Sequence, residues 1–299
     1  MRPLLFCTLI CLVFPYSTVA EPKPVTFVAY NLKNYLPLQR SVNGKLTPNA
    51  PKPEEEIAEV INLLSAAKPD ILGLCEIGGI DDAVDLQKRL KSKGITLEHV
   101  EIIGGGDPDR KMAVISRFPI KLRNSKSELT YKIGGQTMPV QRGILDVVVE
   151  INSNYDLRLV GVHLKSKREV PNADQSLMRR NEAAIVRRHA SEILEKDPDT
   201  NLLVYGDFNA TRNEKPVREI VGRYRTPEYL TPLRLKDEAD QTWTHFWDDA
   251  DVYARIDFIC ASRGILPEID RSGSYIASSA DWYTASDHRP LVLKIQPKN

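Results

Sequence analysis

Short apolar runs recur along the chain, and their lengths are typical of β-strands. Many of their residues are β-branched, and several runs show no polar alternation, which indicates strands covered on both faces. A break of five residues separates two of the runs, 144–151 and 157–162, and predicts a β-hairpin. The predicted strands are 25–30, 71–75, 112–116, 144–151, 157–162, 202–205, 256–260 and 291–295.

Longer segments with helical periodicity lie between these runs. In the clearest, apolar side chains recur at positions 57, 60, 61 and 64 of segment 54–67. Further helices are predicted at 82–93, 175–194 and 217–223, and linker-like stretches at 45–53 and 104–109. Strands and helices alternate throughout, so the pattern favours an α/β fold of two packed mixed sheets with helices outside. No boundary divides residues 21–299, which we expect to form a single domain.

The first twenty residues have the layout of a secretory signal peptide. A basic Arg2 precedes the apolar run 4–14, and small residues up to Ala20 stand at the expected cleavage site. That run is short for a membrane span, although a membrane anchor is the alternative. We therefore expect residues 1–20 to be removed and the chain to be exported to the periplasm or the extracellular space, with no transmembrane segment.

Composition and charge limit the classes of function that the chain can have. The chain has 41 Lys and Arg against 40 Asp and Glu, and without the leader forty of each sign remain. Such a neutral chain lacks the global field of a dedicated duplex-binding module, so any polyanion contact must come from a local basic patch. Outside the leader the cysteines are Cys75 and Cys260, which either pair or remain buried thiols. No feature of the sequence points to a protein partner.

Polar side chains stand at the ends of the apolar runs. In a mixed sheet, the ends of strands that run one way lie beside the starts of strands that run the other way. We therefore expect one edge of the sheets, where strand ends and starts meet, to carry a set of polar side chains, and we call this edge the rim. The set is Asn31, Glu76, His163, Asp207, Asn209, Asp257, Asp287 and His288. Taken singly, each acid or amide could be a turn or capping residue and each histidine a structural group. Their common position is what indicates a site.

The chemistry of this set is coherent. Carboxylates gathered in one pocket repel one another unless a cation or proton intervenes. Hard oxygen ligands without cysteine favour Mg²⁺ or Mn²⁺, with Ca²⁺ as a further candidate. Lys165, Arg255 and Arg289 follow or precede rim residues and are candidates to bind a substrate phosphate. A metal, two histidines and nearby cations are what hydrolysis of a phosphoester needs.

The ordered motifs resemble the endonuclease/exonuclease/phosphatase superfamily, which includes deoxyribonucleases and sphingomyelinases. They are NLKNY, LCEI, VHLKSK, GDFNA, RIDFI and SDHRP, and they span nearly the whole chain after the leader. The resemblance implies a four-layer α/β/β/α sandwich. It also implies metal binding by Glu76, with Asn31 assisting and Asp287 completing the acidic site.

The same resemblance implies the catalytic roles. Asp207 would activate the attacking water and Asn209 would hold it, while His288, oriented by Asp257, would contact the scissile phosphate. His163 would stabilise or protonate the leaving oxygen. Members of the deoxyribonuclease type have an acidic partner for the histidine at the position of His163. Here Asp109 is the nearby acid, so either Asp109 serves or His163 has no acidic partner.

The substrate class stays open between alternatives. Nucleic acid, DNA or RNA, is the first candidate; a phospholipid or a small phosphoester is the second, and a non-catalytic binding module is the third. A phospholipid hydrolase should expose an apolar loop near the rim, and the sequence shows no obvious one. Trp243, Trp247 and Tyr253 either contact a base or headgroup or fill the core, and core filling is our prediction. Arg179 and Glu182 are expected on a solvated helix face.

Overall fold

The computed structural model describes residues 23–171 and 173–298, so the predicted leader lies outside the described residues. Its helices are α1 (Glu54–Ala67), α2 (Ile80–Ser92), α3 (Gln175–Lys196), α4 (Lys215–Val221) and α5 (Trp282–Ala285). Its strands are β1 (Val25–Tyr35), β2 (Leu38–Val42), β3 (Lys45–Ala50), β4 (Ile71–Ile77), β5 (His99–Ile103), β6 (Lys111–Ser116), β7 (Ile120–Arg123), β8 (Thr130–Ile133), β9 (Gln136–Pro139), β10 (Leu145–Asn152), β11 (Tyr155–His163), β12 (Leu202–Asp207), β13 (Thr231–Pro232), β14 (His245–Trp247), β15 (Val252–Ala254), β16 (Asp257–Ala261), β17 (Ile269–Ile276) and β18 (Leu291–Ile295).

Two six-stranded mixed sheets form the centre of the molecule. Their strand orders are β17-β18-β1-β4-β6-β5 and β13-β16-β12-β11-β10-β7. Each sheet has one parallel pair near its middle, β1 with β4 and β11 with β12, and all its other pairs are antiparallel. Strand ends and strand starts therefore meet at the same edge in both sheets. Three two-stranded hairpins, β2–β3, β8–β9 and β14–β15, lie outside the large sheets.

The two sheets pack face to face through a buried apolar layer. The ring of Phe27 from the first sheet meets the edge of Tyr205 from the second, with centroids 4.9 Å apart. A side chain at Gly73 would stand 2.2 Å from the Tyr205 ring, so only glycine allows this approach. The close contact holds the sheets at a fixed separation and aligns their edges.

Helices cover both outer faces. Ile57, Val60, Ile61 and Leu64 of α1 repeat at helical spacing and pack, with α2, on the first sheet. Helices α3 and α4 cover the second sheet in the same way. The resulting layers confirm the predicted α/β/β/α sandwich. No helix among the described residues is both long enough and apolar enough to span a bilayer.

The eight predicted strands are all present. Their observed bounds differ from the predicted ones by at most two residues, except that β1 ends five residues later. Helix α1 has the predicted bounds, and β10 and β11 form the predicted hairpin. The prediction of a linker at 45–53 is wrong because β3 pairs with β2 there. The strands that the sequence did not indicate lie at sheet edges or in small hairpins, where exposure removes the apolar signal. Cys75 and Cys260 are both free and buried.

A buried polar network ties α3 to the second sheet. Asp146 on β10 accepts hydrogen bonds from Asn124 Nδ2 at 2.8 Å and from Arg158 Nε at 2.9 Å. Its other neighbour is His189 Nε2, at 2.9 Å. Burial alone would raise the pKa of Asp146, but these partners lower it to about 2. The carboxylate therefore stabilises the folded state.

We expect Asp146→Asn to lower the free energy of unfolding at pH 7 by about 2 kcal/mol, the equivalent of the lowered pKa. Because the folded pKa is lowered, this stabilisation is complete above the unfolded pKa. It disappears as the pH falls from about 4 toward 2. Urea unfolding across that pH range measures the effect. The exposed Asp156, mutated to Asn, is the matched control and should change little; an equal effect of both variants would contradict the account.

Candidate active site

Three side chains stand side by side where strands of the second sheet end and begin. His163 ends β11 and pairs with Asp207 at the end of β12, which pairs in turn with Asp257 at the start of β16. The first two strands run parallel and the third runs opposite to them, so ends and a start coincide. The structure therefore brings these three predicted residues together on one rim.

The first sheet supplies the other half of this rim. Asn31 on β1 lies beside Glu76 on β4, since Asn31 pairs with Cys75 in the parallel register. The amide Nδ2 of Asn31 donates to Asp207 Oδ2 at 3.2 Å and lies 3.4 Å from Glu76 Oε1. One side chain thus connects the acids of both sheets. In this orientation Asn31 presents its amide nitrogen to the carboxylates, and its oxygen accepts from the Lys33 backbone at 3.0 Å.

Backbone in the left-handed region aims several of these groups. Glu76 has φ +60° and Asn209 has φ +49°, conformations that cost non-glycine residues energy and cluster at functional sites. The Asn34 backbone N–H donates to Glu76 Oε2 at 3.1 Å. The Asn209 amide donates to Leu164 O at 3.0 Å and to Asp207 Oδ2 at 3.1 Å. These bonds hold both turns against the rim.

His288 and Asp257 form a buried pair. Nδ1 of His288 lies 2.8 Å from Asp257 Oδ2, and its Nε2 lies 3.9 Å from Asp207 Oδ2. Burial alone would lower the pKa of His288, but the Asp257 carboxylate raises it to about 10. At neutral pH the ring is therefore an imidazolium. Its Nε2 is left as a charged donor inside the rim.

His163 is the electrostatic opposite of His288. Its Nε2 lies 3.6 Å from Asp207 Oδ2 and 3.8 Å from Glu76 Oε1, and its Nδ1 has no hydrogen-bond partner among the described residues. Burial lowers the pKa of His163 well below the ordinary value, and the nearby charge of Arg142 lowers it further. This ring is therefore neutral at pH 7. The candidate partner Asp109 is exposed and does not contact it.

The crowding of acids indicates a cation. Burial, with the charges of Asp257 and Glu76, raises the pKa of Asp207 to about 7. Among the described residues, two groups have possible ligand atoms within 4.8 Å of one another: Asp207 with Asp257 and His288, and His245 with Asp287 and His288. Carboxylate oxygens in this arrangement fit a hard divalent ion, which would relieve their repulsion.

The three predicted phosphate-binding cations are engaged elsewhere. Lys165 donates through Nζ to Arg168 O at 2.8 Å and so closes its own loop. Arg255 donates to the Leu233 backbone and stacks on Phe258. Both side chains therefore have partners within the fold, and their binding of phosphate stays a prediction.

Arg289 is also a structural residue. Its guanidinium donates to Asp237 Oδ2 at 2.7 Å and to Trp243 O at 2.5 Å, and it lies 3.2 Å from the centroid of the Trp243 ring. It is buried and holds the segment before β14 against the chain that carries His288. Its guanidinium is therefore engaged within the fold, and its binding of phosphate stays a prediction.

Two other arginines stand at the rim. Arg110 Nε lies 3.8 Å from Glu76 Oε2, and Arg142 Nη2 lies 3.1 Å from Asp107 Oδ2. Arg142 is only 7% exposed, and its Nε and Nη1 have no hydrogen-bond partner among the described residues. A buried guanidinium with two free donors favours an anion beside it. Both arginines precede apolar runs. The criterion that located the acids, a position at the start or end of an apolar run, would therefore also have indicated these arginines.

Two further predictions about side-chain exposure are wrong. Trp247 and Tyr253 are 53% and 56% exposed on the β14–β15 hairpin and do not fill the core. Arg179 and Glu182 are buried, not solvated. Glu182 accepts from the Gln141 and Lys165 backbones at 3.0 and 2.6 Å, and so fixes the loops beside Arg142 and His163.

An acidic rim with two histidines on a two-sheet sandwich has the residue types that hydrolysis of a phosphoester uses. The sequence matches the Endonuclease/Exonuclease/phosphatase family over residues 30–288, and the chain belongs to that family. Members of the family are phosphoester hydrolases that depend on divalent metals. A search of curated proteins finds no match.

Solved structures share the fold at low sequence identity. Truncated Caenorhabditis elegans TDP2 is 16% identical with a TM-score of 0.61, over 91% of this chain and 98% of that one. An endonuclease/exonuclease/phosphatase from Bacteroides vulgatus gives 16% and 0.62, over 93% and 100%. The human Nocturnin catalytic domain with bound sulfate gives 16% and 0.59, over 93% and 97%.

Proposed function

We propose that the chain is an exported, divalent-metal-dependent phosphodiesterase whose first candidate substrate is nucleic acid, DNA or RNA. The observation that carries the proposal is the buried His288–Asp257 pair, whose free Nε2 faces Asp207. An imidazolium beside a water-activating carboxylate can stabilise the charge that develops on a phosphoryl group. The acids around it supply the hard ligands that such chemistry requires.

Glu76 and Asp287 would hold the divalent ion, with Asn31 if its amide turns its oxygen inward; Mg²⁺ or Mn²⁺ fits best, and Ca²⁺ is a further candidate. When bound, the ion supplies Lewis-acid polarisation of the phosphoryl oxygens. Asp207 accepts a proton from the attacking water, and Asn209 keeps Asp207 in place through its 3.1 Å contact. His288 donates through Nε2 to a phosphoryl oxygen, while Asp257 fixes the ring at Nδ1.

His163 acts at the leaving group. Because burial keeps its ring neutral, His163 donates a hydrogen bond to the leaving oxygen as a neutral imidazole and not as an imidazolium. Arg142 and Arg110 bind the phosphate in this proposal, in place of Lys165, Arg255 and Arg289. The sulfate on human Nocturnin shows that an anion binds to a protein of this fold, and the unpaired nitrogens of Arg142 support an anion site here.

A phospholipid or small phosphoester remains the second candidate substrate. The observation that favours it is the exposed β14–β15 hairpin next to the rim. The sequence shows no obvious apolar loop near the rim, yet this hairpin exposes Trp247, Val252 and Tyr253 beside three aspartates. Export also belongs to the proposal: it depends on the leader-like sequence 1–20 and would place the enzyme outside the cytosol.

A metal-supplemented activity panel tests the function. Plasmid DNA, RNA, sphingomyelin vesicles, bis-p-nitrophenyl phosphate and p-nitrophenyl phosphate are compared in Mg²⁺ and in Mn²⁺. We expect cleavage of the nucleic acids and of the diester, with the monoester hydrolysed much more slowly. Asp207→Asn, purified in the same way, controls for contaminating nucleases. Hydrolysis of sphingomyelin alone, or of the monoester alone, would contradict nucleic acid as the substrate.

A further inference from the structure

The β14–β15 hairpin, residues 245–254, rises directly from the catalytic rim; we call it the aromatic hairpin. The Phe246 N–H donates to Asp287 O at 2.9 Å, and the Arg289 N–H donates to Thr244 O at 2.7 Å. The His245 ring lies 4.6 Å from the ring of His288, centroid to centroid. The hairpin is therefore fixed to the segment that carries the phosphate-contacting histidine.

The hairpin presents one exposed aromatic ring to solvent on each of its two faces. The Tyr253 ring is stacked on Phe246 with centroids 4.4 Å apart and planes 21° apart, and it is packed against Trp243 at 4.7 Å. Tyr253 is nevertheless 56% exposed. Trp247 pairs with Val252 and so lies on the opposite face, where it is 53% exposed. Since neighbouring rings hold Tyr253, a planar ligand can stack on it with little further loss of side-chain freedom.

The catalytic rim has two chemically different sides. Arg142 and Arg110 lie on the side of His163, whose pKa their charges lower. The aromatic side chains lie on the side of His288. A single-stranded nucleotide has the same two sides, a phosphate on one and an exposed base on the other. Its phosphate fits the cationic side while its base reaches the aromatic one.

The tip of the hairpin disfavours a second strand. Asp248, Asp249 and Asp251 are exposed there, and the charges of Asp248 and Asp249 help to raise the pKa of Tyr283 nearby. A duplex carries roughly one negative charge per 1.7 Å of its axis, about twice the density of one strand. The same aspartates would lose hydration on entering a bilayer interface, which argues against a lipid surface as the occupant.

We propose that the aromatic hairpin is a base-stacking platform that makes the enzyme prefer single-stranded nucleic acid. The base next to the scissile phosphate stacks on Tyr253 or Trp247, and the three aspartates repel a complementary strand. This inference rests on the proposed phosphodiesterase function and adds to it a substrate class and the residues that select it.

The test compares a substrate that has bases with one that has none. Wild type, Tyr253→Leu and Trp247→Leu are assayed on a labelled oligothymidylate and on methyl p-nitrophenyl phosphate, both with Mg²⁺. We expect the ratio of the two kcat/KM values to fall about tenfold in the hairpin variant that removes the stacking ring, because stacking on the lost ring is removed. Tyr224→Leu is the matched control, an exposed tyrosine outside the hairpin, and should leave the ratio unchanged.

A second arm tests the aspartates. Wild type should cleave oligothymidylate faster than its duplex with oligoadenylate, and the combined change of Asp248, Asp249 and Asp251 to Asn should narrow that difference. An unchanged ratio in both hairpin variants would overturn the proposal. So would a loss seen only with sphingomyelin vesicles, which would identify a lipid-binding hairpin.

A different result would contradict the proposed phosphodiesterase function itself. If wild type does not hydrolyse methyl p-nitrophenyl phosphate in any metal, the phosphodiesterase proposal fails. The hairpin is then tested by the binding of labelled oligothymidylate in fluorescence anisotropy. Weaker binding by Tyr253→Leu, with Tyr224→Leu unaffected, would support the platform, and equal binding by all three proteins would overturn it.

Discussion

Replacement of His288 by alanine should lower kcat for phosphodiester hydrolysis by about a thousandfold. The imidazolium is buried, is fixed by Asp257 at 2.8 Å and has its Nε2 3.9 Å from Asp207, so it is preorganised to meet developing negative charge. Loss of such a donor removes stabilisation that is strongest in the transition state. The effect should therefore appear mainly in kcat, measured with methyl p-nitrophenyl phosphate under saturating Mg²⁺.

Two further variants separate chemistry from folding. Asp257→Asn leaves the ring in place but removes the charge that raises the pKa of His288, so we expect a smaller loss, about a hundredfold. His99→Ala, on β5 and outside the rim, is the matched control and should retain full activity. Thermal unfolding shows whether each variant is folded. A folded His288→Ala protein with less than a tenfold loss would remove His288 from the catalytic set.

Chelation of divalent cations should have the largest effect and abolish hydrolysis. Glu76, Asp207 and Asp257 lie at one rim, and their mutual repulsion contributes to the raised pKa of Asp207. A divalent ion would offset this repulsion and leave Asp207 ionised as a base. Without the ion, the raised pKa of Asp207, about 7, leaves the carboxyl protonated in about half of the molecules at pH 7. The Lewis acid is then lost and the base is weakened.

The fold was largely predictable because its central strands are covered on both faces. Runs such as 71–75 and 202–205 contain no charged residue, and α1 repeats at helical spacing, so the local pattern and the final structure agree. Edge strands such as β5 and the small hairpins gave no such signal. Their residues are partly exposed, and their pairing depends on neighbours far away in the chain.

The acids and histidines of the site were predictable for a related reason. A rim forms wherever strand ends and starts coincide, so position along the sequence locates Asp207, Asp257 and Glu76. Side-chain direction does not follow from position. Arg289 adjoins His288 in the sequence, yet it turns inward to Asp237, whereas the distant Arg142 lies near His163. Tertiary contacts decide which neighbouring cation faces the site.

The aromatic hairpin illustrates the same limit. Large aromatic side chains are usually buried, so core filling was the better prediction for Trp247 and Tyr253. The hairpin pairs with itself and is anchored by its base to residues 287–289. Neither large sheet covers it, and two of its rings therefore remain in solvent. Only this long-range arrangement places them beside the segment that carries His288.

The most direct test of the central claim is hydrolysis of methyl p-nitrophenyl phosphate by one preparation, measured first with EDTA and then with Mg²⁺ or Mn²⁺ in excess. Activity should disappear with EDTA and return with the added ion. Glu76→Gln should need a higher Mg²⁺ concentration for half of its maximal rate, because one ligand has lost its charge. Undiminished hydrolysis in EDTA, by wild type and Glu76→Gln alike, would contradict a metal-dependent mechanism at this rim.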